Sequence, residues 1–418
     1  MLPPSEELAV ERRRRRSIWT LVAGVALGST GQVAAFTVAT IAARELAGSS
    51  AWAGIPGAAA VLGTAIGAPL LSALMVRTGR RTGLVTGYAV GVGGALLAVL
   101  ALVGRAFPLL LLATVLIGVA SSAANLSRYV AADLVPAARR ASALALVVWG
   151  ATVGAVVGPN LIAGAGAIAE EIGLPRLAGA YLLPAIFVAC GALLSFVLLR
   201  PDPYELADPS ARHDERDGEG DPFRVLLRRP TVWVALVSLV AVQVTMVLVM
   251  TMTPLHMTAH GHDLAAVGLV ISAHTLGMFA LSPISGHLTD RLGSPVVIVA
   301  GLLVSGGAAV LSALAPPDGG PLLALALFLL GFGWSLGFVA GSTLVTRGLT
   351  LRERTRLQGW TDALIWSSAA IASLGSGVVL AAAGFTALGL LGAALVVVPA
   401  WLVIARRGHL VAVGEPAG

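Results

Sequence analysis

Five of the seven methionines and four of the seven histidines in this chain fall within residues 246–278, a stretch of 33 of its 418 residues. Composition alone does not gather them there. Met246 and Met250 are four apart, as are His274 and Met278. On a helix, positions i and i+4 share one face, so each pair would present two soft donors on a single stripe. Thioether and imidazole suit Cu(I) better than hard cations, which makes Met246, Met250, His274 and Met278 a candidate copper site. The competing reading is packing. Methionine is a flexible filler of apolar interiors, and for Met246 and Met250 that reading is the stronger. An imidazole in mid-span is costly without a partner or a water-filled cavity, so His274 is harder to explain as filler.

A second group lies between the two pairs. Met252, His256, Met257, His260 and His262, followed by Asp263, could collect a metal before it reaches the centre. Gln32, Asn125, Asn160 and Gln243 are polar residues within apolar runs and are expected to line a cavity. Gln243 precedes Met246 by three and shares its face. Asp362 and Glu45 stand near the ends of apolar runs, where a solvated role is expected rather than proton coupling. Cys190 is the only cysteine, which excludes an internal disulfide and a Cys-based metal site.

The elements that must position these residues are membrane spans. The chain is 57% apolar and 11% charged, with mean hydropathy +0.90, whereas soluble domains average about 45–50% and about 25%. Lipid is therefore the main solvent, and a soluble enzyme is excluded. Apolar runs long enough to cross a bilayer are read at 18–42, 52–76, 83–104, 107–130, 141–165, 176–199, 231–254, 264–288, 294–314, 321–346, 358–382 and 385–405. The predicted fold class is an all-α membrane protein of twelve transmembrane helices in two six-helix bundles, residues 1–200 and 231–418. A charged cytoplasmic linker, 201–230, joins them.

All 27 basic residues are arginine. With twelve spans and the N-terminus inside, 24 of the 27 fall on the cytoplasmic side, and only Arg44, Arg105 and Arg176 fall elsewhere. That bias is the positive-inside pattern. It predicts a multi-pass protein of a bacterial plasma (inner) membrane with both termini cytoplasmic, and it explains the basic balance without nucleic acid. The lipid bilayer is the expected surrounding partner, and a monomer the expected state.

Gly286-His287-Leu288-Thr289-Asp290-Arg291-Leu292-Gly293, between spans 8 and 9, resembles the G-x-L-x-D-R-x-G loop signature of the major facilitator superfamily. The matching loop between spans 2 and 3 runs from Ser72 through Val76 and Arg77 to Arg81, with Val76 where the signature has Asp. An Asp at such a turn can cap a helix N-terminus and pair with arginine. A latch built on Gly286, Asp290 and Arg291 is thus expected only in the second half; the first-half copy keeps Arg77 but has lost its Asp to Val76. Gly154 to Pro159 on span 5 resembles the Gly-Pro signature of the antiporter branch, with packing geometry as the plain alternative.

By their spacing on spans 7 and 8, the two donor pairs also resemble the CcoA-like copper importers within that superfamily. The resemblance implies Met246, Met250, His274 and Met278 as central ligands, with copper ion or a small copper complex as substrate and no permanently bound cofactor. Members of that group also use cysteine, which leaves the role of Cys190 open. The related riboflavin-carrying branch is understood to lack such pairs, which argues against that substrate. The leading expectation is a secondary transporter, not an enzyme, importing copper by alternating access. No phosphate-binding loop of the G-x-x-x-x-G-K form is present. The alternatives are a proton-coupled drug or metabolite exporter of the same superfamily and a haem protein with His and Met axial ligands.

Overall fold

The computed structural model of the protein describes residues 4–47, 52, 54–207, 221–316 and 320–412. Regular structure among them is entirely helical. In chain order the long helices are α1 (Pro4–Ala47), α2 (Ile55–Thr78), α3 (Arg80–Val103), α4 (Phe107–Asp133), α5 (Arg140–Glu171) and α6 (Arg176–Leu198). After the linker come α7 (Pro230–Ala259), α8 (264–292), α9 (Ser294–Leu314) and α10 (Gly320–Leu344). A last helical run, Leu351–Ala405, is broken at Gly384, whose φ of 80° and ψ of 178° are far from helical. Glycine adopts such a φ without a Cβ penalty, so the run divides into α11 (351–383) and α12 (385–405). Residues 208–220 of the predicted linker lie outside the described residues.

Each predicted span has its helix, and the differences are at the ends. α1 starts well before residue 18 because Glu6, Glu7 and the arginine run extend it, both residue types being good helix formers. α4 continues past residue 130 to Asp133, and α11 begins at Leu351 rather than 358. Asp133 and Arg354 therefore stand on helices, not in loops. α8 consists of Leu264–Thr275, one π-helical turn at Leu276–Ala280, and Ser282–Leu292. Pro283 has no N–H to return to the preceding turn, a local cause for the wider turn there.

Among the described residues eleven helical stretches are long and apolar enough to cross a membrane, and one of them is the run that Gly384 divides. Large apolar side chains point outward along them, among them Leu70, Leu314, Ile371, Leu374 and Val378. An apolar surface of this extent is incompatible with water and suits lipid.

The chain gathers into two compact units. One comprises Met1–Ala137, Gly150–Arg216 and Leu351–Trp366; the other comprises Ala138–Trp149, Asp217–Thr350 and Ser367–Gly418. In the first, α3 packs between α4 and α6, and α1 lies on α6 and α4. Its core is a layer of small residues around Leu102, Leu110, Ile117 and Tyr181. Small side chains let helices approach where no hydrophobic force drives association in lipid. In the second unit α10 is central, flanked by α9, α8 and α7.

Candidate functional site

His274 is 2% exposed, and its Nδ1 lies 2.8 Å from the carbonyl oxygen of Leu327 on α10. A carbonyl oxygen only accepts, so Nδ1 carries the proton and Nε2 keeps the lone pair. That Nε2 is buried without a hydrogen-bond partner. Met278 lies in the π turn, and both residues press on α10 at Gly331. A Cβ there would come within 2.3 Å of the His274 carbonyl oxygen and 3.2 Å of Met278 Cγ. Only glycine fits this approach. Met246 is buried on α7 and Met250 is half-buried. Among the described residues no hydrogen bond joins either of them to His274 or Met278, and no three His, Cys, Asp or Glu side chains form a metal-binding group. The structure therefore places the His274–Met278 pair against α10.

Of the proposed capture residues, His256 stacks on Phe385, the first residue of α12, with ring centroids 4.2 Å apart at 11°. His260 tilts against His256 at 4.4 Å and returns its Nδ1 to the His256 carbonyl oxygen at 2.8 Å. Met257 is buried, whereas Met252 and His262 are half-buried.

The polar residues expected to line a cavity separate into two kinds. Asn160 is exposed and donates to the carbonyl of Val156 on its own helix at 2.6 Å. Asn125 is half-buried, with its backbone carbonyl accepting from Arg128 at 2.6 Å. Gln32 on α1 donates to the Ser121 hydroxyl on α4 and borders two small clefts of the first unit, each with about 280 Å³ of open space including the mouth. Tyr181 lines one of them, and its hydroxyl is buried without a hydrogen-bond partner.

Gln243 on α7 accepts from the Trp334 indole N–H on α10 at 2.8 Å. Trp334 stacks on Phe338 with centroids 4.4 Å apart at 17°, and Phe279 of the π turn meets Trp334 edge-on at 6.0 Å. Trp334, Phe338, Phe279 and Tyr181 were not singled out from the sequence. The available signal was a helix unusually rich in aromatic residues, with Phe328, Phe332, Trp334 and Phe338 recurring among its aliphatic and glycine positions.

Each unit has its own group of charges at helix ends. In the second unit the Asp290 carboxylate accepts from the backbone N–H groups of Ala141 and Ser142 at 3.0 and 2.9 Å, capping the start of α5. Gly286 lies directly against that same turn, while Arg291 is exposed. The expectation that only the second half forms a latch is corrected by the first unit. There Arg80 pairs with Asp133, which also binds Arg354 at 3.3 Å, and Arg80 Nη1 donates to Gln358 at 3.1 Å. Arg77 is exposed, and Arg80, three residues on, is the buried cation. Asp202, at the start of the linker, accepts from the N–H groups of Arg80 and Arg81 at 3.1 and 3.0 Å. It caps α3 much as Asp290 caps α5. Asp362, expected to be solvated, is instead buried and paired with Arg128. The Gly-Pro motif of α5 is seated against α1, with Gly154 at the backbone of Ser29 and Thr30 and Gly158 at the carbonyl of Thr30. It forms a close helix contact.

The sequence matches the Major Facilitator Superfamily over residues 18–373 and again over 245–415. It is 35% identical over 402 residues to the uncharacterized MFS-type transporter YdeG of Bacillus subtilis, covering 94% of this chain and 93% of that one. It is 30% identical over 397 residues to the riboflavin transporter RfnT of Brucella anthropi, covering 94% and 97%. The fold superposes on that of the human organic anion transporter MFSD10 with a TM-score of 0.73 at 18% identity, over 96% of this chain and 100% of that one. These relatives do not support the narrower resemblance to copper importers. With the helical architecture, the apolar outer surface and the signature loop at Asp290 in place, the chain belongs to the major facilitator superfamily and is a multi-pass secondary transporter.

Proposed function

We propose that the protein carries a small organic solute with a flat conjugated ring, of the riboflavin type, across the membrane by alternating access. The observation that carries this reading is the α7–α10 cluster. Trp334 and Phe338 supply stacked aromatic faces, Phe279 an edge, and Gln243 an amide. Gln243 uses its oxygen on Trp334, and its amide nitrogen makes no hydrogen bond among the described residues. That leaves a donor for the carbonyl-rich edge of such a ring. Apolar and aromatic walls with a few placed polar groups are the common construction of small-molecule sites. The 30% identity to a riboflavin transporter supports the same class. On this reading residues 1–200 and 231–418 are the two moving bundles of a monomer, and 201–230 connects them on the cytoplasmic side of a bacterial inner membrane.

Copper is the second reading, and the His274 Nε2 lone pair favours it. A carbonyl that accepts from Nδ1, as that of Leu327 does, fixes the tautomer that leaves Nε2 free to bind a metal ion. Two titrations of the purified protein separate the readings. Riboflavin should bind saturably with quenching of its fluorescence, and Trp334→Leu should weaken that binding. Cu(I), offered against a chromogenic chelator, should not be retained in a His274-dependent way. Absence of saturable riboflavin binding, together with Cu(I) retention lost in His274→Ala, would replace the first reading by the second.

A further inference from the structure

The pair of charges at residues 128 and 362 belongs to neither the aromatic cluster nor the signature loop. Arg128 and Asp362 are 2% and 1% exposed. Arg128 Nη2 lies 2.5 Å from Asp362 Oδ1, Nη1 lies 3.3 Å from Oδ2, and the Tyr129 hydroxyl donates to Oδ1 at 3.3 Å. The guanidinium also lies over the Tyr129 ring, 4.3 Å from its centroid. On α11, Arg354, Gln358 and Asp362 recur every four residues and so form one stripe. Arg354 reaches Asp133 on α4, Gln358 reaches Arg80 on α3, and Asp362 reaches Arg128 on α4. Contact of this stripe with α3 and α4 is thus made largely through charge and hydrogen bonds.

The two carboxylates differ in what happens when the stripe moves away. Asp133 and its partner Arg80 stand on α4 and α3, so Asp133 keeps a guanidinium when α11 leaves. Asp362 rides on α11 and loses both of its partners, Arg128 and Tyr129. An unpaired carboxylate in a low-dielectric setting takes up a proton rather than remain charged. Among the described residues Arg128 and Tyr129 are the only titratable groups bonded to Asp362, and Gln358 and Arg354 are its polar neighbours on its own helix face. Separation of α11 from α4 and protonation of Asp362 therefore favour each other.

We propose that Asp362 is the proton-binding residue of this transporter and that the proton is its coupling ion. With the contact made, Asp362 is the anion paired with Arg128. With it broken, the carboxylate binds one proton to become the neutral acid, and it gives that proton up when Arg128 returns. This assignment rests on the secondary-transporter reading and is independent of which solute is carried.

The test uses the full chain in lipid nanodiscs, with Cys190→Ser and spin labels at Thr78→Cys and Arg352→Cys, two exposed positions of the first unit. Acid should raise the long-distance population. A one-proton linkage changes the ratio of states by up to about tenfold per pH unit. Asp362→Asn should remove that slope, as should the charge-free double variant Arg128→Met with Asp362→Leu, which guards against a folding defect in the single one. A wild-type slope in Asp362→Asn, or no slope in the parent, would overturn the proposal. In proteoliposomes Asp362→Asn should also lose riboflavin accumulation driven by a proton gradient while retaining riboflavin exchange. If riboflavin does not bind at all, the solute reading fails and the distance measurement still decides this one.

Discussion

The two halves carry matching loops, yet they fasten the helix ends in different ways. In the second unit one carboxylate, Asp290, accepts from two backbone N–H groups at the start of α5. In the first unit Val76 stands at the corresponding position; Asp202 of the linker caps the start of α3, and side-chain charges on three helices are added to that cap, with Arg80, Asp133 and Arg354 joined to Gln358. The Asp290 device relies on the partial positive charge of a helix N-terminus. The first-unit device places full charges out of solvent, where each is tolerated only while its partner is present. The first half is thus fastened without the signature Asp, through residues outside the strict signature, and that fastening depends more steeply on each member.

That contrast orders the expected effects. Asp133→Asn leaves Arg80 and Arg354 buried beside a neutral group and should cost roughly 3–5 kcal/mol, the range found when one partner of a buried pair is removed. Thermal unfolding in detergent would measure it, and a loss no larger than that of a surface substitution would mean water reaches the pair. Replacing Arg128 and Asp362 together by Met and Leu should recover most of the stability lost by Asp362→Leu alone, since apolar replacement of a whole pair is often neutral. A double variant as unstable as the single would show that the pair is not one unit. Asp290→Ala should cost less, about 0.5–2 kcal/mol as for other lost caps, and Asp290→Asn less again because Asn also caps. If Asp290→Ala proves as damaging as Asp133→Asn, the distinction between the halves fails. Arg77→Gln, at an exposed signature position, should leave the unfolding temperature unchanged.

Much of the fold was legible because hydrophobic run length is a direct readout of bilayer thickness. The predicted span 294–314 coincides with α9. The end of α4 and the start of α11 were not legible, because Asp133 and Arg354 look like loop charges until their partners are known. Arg128 and Asp362 are 234 positions apart, and nothing local to either signals the other. Asp202 was hidden in the same way among the acidic residues of the linker. At the candidate site, Gln243 and His274 stood out as polar groups in apolar runs. Their partners did not: one is a tryptophan, an ordinary residue in a membrane span, and the other is a backbone carbonyl. His274 stands in the α-helical first part of α8 and Met278 in its π turn, and spacing says nothing about which neighbour that face meets.

Exchange of labelled riboflavin by the purified protein in proteoliposomes, set beside copper accumulation in the same vesicles, decides between the two solutes. Saturable riboflavin exchange that falls strongly in Trp334→Leu and in Gln243→Leu is expected, with copper accumulation no greater than in empty vesicles. Copper accumulation abolished by His274→Ala, with riboflavin exchange at background, would contradict the riboflavin reading.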